Sequence, residues 1–475
     1  MNKIYKLLLV SVVIATFTSC TYTFPEEEKP TAGSADFTKV VAVGNSLTAG
    51  YMNGALYDDG QAASYANIVA QQIKLNGGGD FNQPDINAPD GDFGPSGGVY
   101  GRLRLVNPAS PAPAPIQPGQ AITNYSGDKA ALNNFGVPGI RIVDVAFEGY
   151  GMGNPYFGRF ASDPATATVL GDAIAANGSF IMFWLGGNDV LGYALGGATA
   201  PGALTDVAVF DERYKNAIDG LFNNGQKGII ANIPSVNSIP HFTTVPWNAI
   251  PMDQATADAT NAGFAGFNGG INAYNAGQLP GQTEPPAIKR DTIGFKAGNN
   301  GIVITDLTIP DLSAWGIPFS RQATSSDLIS LPAGGVLGTL ADPMNPASVI
   351  GVGVPLGEQY TLIEADQEAI ANRIADFNAI ILSVVEGSGG DLALLDIYSI
   401  FNNIATDGIT INGSGMDATI SPPSGAFSLD GVHPNQRGAA YLASLFIDTI
   451  NEAFGANIPN INPNNWPGNA LPVMP

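Results

Sequence analysis

Thr38-Lys39-Val40-Val41-Ala42-Val43-Gly44-Asn45-Ser46-Leu47 is the stretch on which the fold turns. A strand with one wet face alternates apolar and polar residues, whereas Val40 to Val43 are apolar without a break, as in a strand buried on both faces of a parallel sheet. Gly44 ends the run and leaves Ser46 at its C-terminal end. Runs of the same character recur at Ser179–Leu185, Gly228–Ile233 and Leu392–Ile397, with a weaker one around Leu132–Phe135. Between them the apolar spacing predicts helices over Ser64–Leu75, Val207–Asn223, Thr361–Val385 and Gln436–Phe454. The last is preceded by Asn435, a capping residue, and followed by Gly455, a stop signal. Buried strands alternating with helices predict an α/β fold, a three-layer α/β/α sandwich with a mostly parallel five-stranded sheet of flavodoxin-like type.

Two stretches break this rhythm. Residues 78–126 are rich in Gly, Pro, Asp and Asn, and residues 235–357 mix helix and hairpin signals; both read as large loop insertions, which in compact domains tend to serve as lids or binding walls. Gly298-Asn299-Asn300-Gly301 before Ile302 reads as a hairpin turn. The folded unit is expected over residues 36–455, followed by a Pro- and Asn-rich tail, 456–475, that either packs in extended form or stays loose. No internal repeat is present.

The N-terminus reads as an export signal over residues 1–19: Lys3 and Lys6, then an apolar run from Leu7 to Phe17 too short to span a bilayer. Phe17-Thr18-Ser19-Cys20 resembles a bacterial lipobox, in which Cys20 is the lipidated first residue of the mature chain. Cys20 is the only Cys among 475 residues, so no intrachain disulfide is possible. Residues 20–35, with Pro25 and Pro30, read as a tether from the lipid to the domain. The expected location is the bacterial outer membrane; Glu26-Glu27-Glu28 leaves both its periplasmic and its surface face open. The formal net charge is −22, two units more negative once Lys3 and Lys6 leave with the signal, which argues against nucleic acid as a partner. The oligomeric state is open.

Four segments carry chemistry. The first is Gly44-Asn45-Ser46-Leu47; a Ser behind a strand is by itself more often a helix cap. Ser428-Leu429-Asp430-Gly431-Val432-His433-Pro434 says more, because Asp430 and His433, three residues apart around a Gly turn, can set a carboxylate against one imidazole nitrogen and leave the other for a Ser. Phe135-Gly136-Val137-Pro138-Gly139 and Gly186-Gly187-Asn188-Asp189 lie between them. In this order, across nearly the whole mature chain, the four segments resemble the blocks of the GDSL or SGNH esterases and lipases. The resemblance implies the SGNH-hydrolase fold, Ser46 as nucleophile, His433 as base, Asp430 as the residue orienting the imidazole, and an oxyanion hole from the Ser46 and Gly139 backbone N–H groups with the Asn188 amide. Gly136 is the alternative to Gly139, which aligns better with the family's second block. It implies no cofactor and no metal, and an ester substrate drawn from lipids or acylated glycans.

The chain departs from the family in carrying Asn45 where Asp is usual, which removes a charge and keeps a hydrogen-bonding side chain of the same shape, and in its long intervals between blocks. Apolar residues near the motifs, Tyr51, Met52, Trp184, Val190 and Leu191, suit an acyl chain or a core equally. Gly94-Pro95-Ser96-Gly97-Gly98 fits G-x-S-x-G yet lacks the strand and helix of a nucleophile elbow. Acidic residues over Asp80–Asp92 match no EF-hand spacing. His241 sits in the second insertion, where it could line the cleft but reads rather as a packing or hydrogen-bonding residue. The expected function is therefore that of an exported lipoprotein serine esterase or lipase acting through an acyl-enzyme on Ser46. The alternatives are a carbohydrate O-acetylesterase of the same mechanism and a non-catalytic glycan-binding surface lipoprotein.

Overall fold

The computed structural model describes residues 30–94, 96–109 and 111–472. The predicted export signal, Cys20 and the acidic run Glu26–Glu28 lie outside the described residues. The central sheet comprises β1 (Val40–Gly44), β2 (Asn134–Gly136), β3 (Phe180–Trp184), β4 (Lys227–Ala231) and β5 (Leu392–Leu395), in the order β5-β4-β3-β1-β2. Every pairing in it is parallel. β1 is therefore flanked on both sides by strands, which accounts for its uninterrupted apolar run: Val41 and Val43 face one layer, Val40 and Ala42 the other.

On the first face Val41, Val43, Ile181, Phe183 and Ile230 pack against α5 (Val207–Leu221) and α7 (Glu364–Gly387), whose inner rows carry Phe210 and Tyr214 and Ile370, Ile374, Phe377 and Ile381. Phe210 stacks on Phe377 with ring centroids 3.8 Å apart. On the second face Val40, Ala42, Phe180, Met182 and Ile229 meet α2 (Tyr65–Leu75) and α9 (Gln436–Phe454). The buried row of α9, Ala443, Phe446, Ile447 and Ile450, has the three- and four-residue spacing of one helix face. Each such large side chain taken out of water contributes roughly 1.5–3 kcal/mol, so the two layers dominate the stability of the fold.

Local signals set the helix ends. The Ser64 hydroxyl accepts from Asn67 N–H at 3.1 Å to start α2, and the Asn435 side chain accepts from Gly438 N–H at 3.0 Å to start α9. Gly455, in the left-handed region, stops α9.

Residues 78–126 run across the β2 side with one hairpin, Leu103–Val106 paired with Ala112–Pro115. Residues 235–357 build small cores of their own, one of them around Ile250, Ile302, Ile304, Ile329 and Leu356, and hold Arg321 between Asp306 and Asp327 at 2.6 and 2.7 Å. Gly298–Asn300 is not a hairpin turn. It is a short strand paired antiparallel with Ile250–Met252, because the Asn300 side chain bonds the backbone of Lys296, Gly298 and Ile250 and holds this segment extended. Ser34 N–H donates to Phe454 O at 2.8 Å, so the residues just before Asp36 lie along the end of α9. The tail packs as well, with Ile458 buried and Asn464 held by the Arg437 guanidinium at 2.8 Å. No helix among the described residues is long and apolar enough to cross a membrane.

Candidate active site

The register of the sheet brings three of the four motif segments to one level. Gly44 lies opposite Gly136 on β2 and Trp184 on β3. Ser46, Gly139 and Asn188 thus follow the same rung by two, three and four residues, at the carboxyl ends of neighbouring strands, where open α/β sheets bind their ligands. Ser46 opens a single helical turn, α1 (Ser46–Ala49), capped by the Asn45 side chain accepting from Leu47 N–H at 3.0 Å. Asn45 thereby does the loop's structural work without a charge, and its amide faces Gly187 in the third segment.

The two glycines of the second segment separate cleanly. A Cβ on Gly136 would stand 2.3 Å from Ala49 N, so this residue is glycine to let α1 settle on the strand end, and its N–H is already taken by the Asn134 side chain at 2.9 Å. Gly139 is exposed, its surroundings are open, and its N–H has no partner among the described residues. Of the two, only Gly139 has a free donor.

Asn188 opens α4 (Asn188–Leu195) and donates one amide hydrogen to Ile140 O at 2.8 Å, which ties the third segment to the second and leaves the other hydrogen free. Asp189 beside it is fully buried and clamps both segments: its carboxylate accepts from Ile142 N–H and from the Thr205 hydroxyl, each at 2.8 Å. Burial pushes the Asp189 carboxyl up to about 6 against the pull of those two bonds.

The fourth segment comes from the far end of the chain. Ser428 N–H donates to His433 O at 2.7 Å and closes a tight turn around Gly431, whose φ of +74° lies in the left-handed region. Asn435 secures the turn from below, donating to Gly425 O and Phe427 O while it caps α9. The result is a continuous hydrogen-bonded chain: Asp430 Oδ2 to His433 Nδ1 at 3.0 Å, and His433 Nε2 to Ser46 Oγ at 2.9 Å. Asp430 also accepts from the N–H groups of Gly54, Val432 and His433, each at 2.9 Å. Burial works to raise the Asp430 carboxyl, but the charge and hydrogen bond of His433 and the backbone donors outweigh it and hold the carboxyl well below the usual range. An ionised carboxylate only accepts, so His433 carries its proton on Nδ1 and offers the Nε2 lone pair to the Ser46 hydroxyl. That is the proton distribution a serine nucleophile requires.

Several supports have no signature in the sequence. Asn53, six residues beyond the first segment, holds the acid turn, its N–H donating to Ser428 Oγ at 2.9 Å and its side-chain oxygen accepting from Leu429 N–H at 3.0 Å. The Tyr51 ring flanks His433 at 5.0 Å and Tyr156 at 5.9 Å. His241 is buried and its N–H donates to Gly431 O at 2.8 Å, so the insertion braces the Asp430–His433 turn. Burial lowers the His241 imidazole to about 4 despite the Asp430 charge. Of the apolar residues near the motifs, Met52, Trp184 and Val190 are core, whereas Tyr51 and Leu191 are half-buried. Ser96 lies in a loop and bonds Asp92. Asp80 pairs with Lys74, and Asp90 with Arg102 and Arg104.

No protein-family model matches the chain. No curated protein matches it either. Among solved structures, a mutant of an acetyl-xylooligosaccharide esterase from Geobacillus Stearmophilus is similar over 88% of this chain and 95% of that one, at 10% identity and a TM-score of 0.33.

Proposed function

We propose that this protein is a serine carboxylic ester hydrolase of the GDSL or SGNH type. The observation that supports the reading is the unbroken hydrogen-bonded chain from Asp430 through His433 to Ser46. Ser46 Oγ attacks the ester carbonyl carbon as its proton passes to His433 Nε2, and Asp430 stabilises the imidazolium so formed. The carbonyl oxygen becomes an oxyanion, held by the N–H groups of Ser46 and Gly139 and the free amide hydrogen of Asn188. The bond to the alcohol oxygen then breaks, His433 returns its proton to that oxygen, and the acyl group remains on Ser46. Water deprotonated by the same imidazole attacks the acyl carbon, the bond from that carbon to Ser46 Oγ breaks, and the imidazolium returns its proton to Ser46 Oγ as the acid leaves. Every proton moved is supplied by Ser46, His433 or water.

A fluorophosphonate probe tests this directly. It is expected to label Ser46, found as a single modified peptide by mass spectrometry, and to leave the His433→Ala protein unlabelled. A folded wild-type protein that resists the probe would favour the non-catalytic alternative.

The reading extends to location. The apolar run before Cys20 and the position of this single Cys support an exported, lipid-anchored enzyme. In cells fed an alkyne fatty acid, the wild-type protein is expected to incorporate the label and fractionate with membranes, and Cys20→Ser to lose both properties. Labelling that persists in Cys20→Ser would remove the anchor from the proposal.

A further inference from the structure

At the carboxyl ends of β3, β4 and β5 lies an apolar groove lined by the chain neighbours of Ser46 and His433. It lies between α8 (Ile397–Asp407) and the first half of α9, is partly open to solvent, and has a cavity volume of about 80 Å³. Leu47 lines it next to Ser46 in the chain, and Val432 and Pro434 line it on either side of His433. Ile400, Phe401, Leu442 and Leu445 form its walls, all of them only half-buried.

No charged or amide side chain contributes to the lining. The Trp184 indole N–H at its floor is already spent on Asn232 O at 3.0 Å, which leaves the Tyr441 hydroxyl as the polar side-chain group without that constraint. A sugar seated here would strand most of its hydroxyls without partners, whereas a hydrocarbon chain would gain by leaving water. The half-buried walls themselves point the same way, since apolar surface gathered in one groove at a ligand-binding rim marks a binding site.

We propose that this groove seats the acyl chain of the substrate, so that the ester cleaved at Ser46 is one of a medium- or long-chain fatty acid. The proposal rests on the ester hydrolase reading, and the test separates the two. Hydrolysis of p-nitrophenyl acetate, butyrate, octanoate and laurate is measured for the wild-type protein and for Leu442→Trp and Ile400→Trp, which fill the groove from opposite walls, with circular dichroism melts to check folding. Each methylene seated out of water gains roughly fourfold, so seating two or more of the additional methylenes of octanoate is expected to raise its kcat/KM above that for acetate by about tenfold or more. The octanoate-to-acetate ratio should fall by a similar factor in both variants. In parallel, 12-bromododecanoate is expected to quench tryptophan fluorescence, and the quenching to be lost in Trp184→Phe.

A profile that peaks at acetate, or a ratio unchanged in both folded variants, overturns the acyl seat and leaves the hydrolase in place. Quenching that survives in Trp184→Phe overturns it too. Quenching at Trp184 in a wild-type protein that cleaves no ester removes the hydrolase reading and keeps the groove as a fatty-acyl site.

Discussion

Replacing Ser46 with Ala is expected to lower kcat on any ester the wild-type protein cleaves by on the order of 10⁶-fold, and His433→Ala to lower it about as much. The two residues share one step, the transfer of the Ser46 proton across the 2.9 Å contact to Nε2, so the double variant should lose little more than either single one. Asp430→Asn should cost less, about 10⁴-fold. An amide at that position offers a donor to His433 Nδ1, which moves the ring proton to Nε2 and leaves nothing to accept from Ser46. The residual rate comes from the oxyanion donors, which none of these changes touches. Steady-state kcat on p-nitrophenyl esters, normalised to folded protein, measures all four; undiminished turnover in Ser46→Ala sinks the assignment.

Asn188→Ala is expected to lower kcat by about 100- to 1000-fold, or roughly 3–4 kcal/mol of transition-state stabilisation, with KM little changed. Its free amide hydrogen meets a full negative charge only after Ser46 has attacked, so removing it leaves ground-state binding nearly intact. The other hydrogen bonds Ile140 O, and its loss costs stability of about 1 kcal/mol, a small shift in Tm for a chain of this size. The two effects separate in the measurements: kcat and KM report the oxyanion, a thermal melt reports the Ile140 bond. An effect confined to the melt would show Asn188 to be a tie between the second and third segments and nothing more.

What could be read in advance follows the range of the interactions concerned. Unbroken apolar runs and helix periodicity are local, so the sheet and its major helices stand close to their predicted limits, and the cap at Asn435 and the stop at Gly455 are where the sequence places them. Asp430 and His433 share one six-residue turn, and their mutual geometry is local too. The turn at Gly298 was misread because Gly-Asn-Asn-Gly has a strong local preference that a distant strand overrode: Ile250–Met252, about fifty residues earlier, offers the backbone partners that hold it extended.

The sequence by itself determined the fold class, the nucleophile candidate and the acid–imidazole pair, because each is written in neighbouring residues. Only the tertiary structure decided that Ser46 and His433, 387 positions apart, stand within hydrogen-bonding distance. It also decided that Gly136 is spent on packing against α1 while Gly139 keeps a free N–H, that His241 in the second insertion braces Gly431, and that the chain neighbours of the pair line an apolar groove. These are contacts between elements that meet only when the sheet has assembled. Which strand ends share a rung, and which side chains close a cavity, depends on the whole arrangement and leaves no mark on any one stretch of chain.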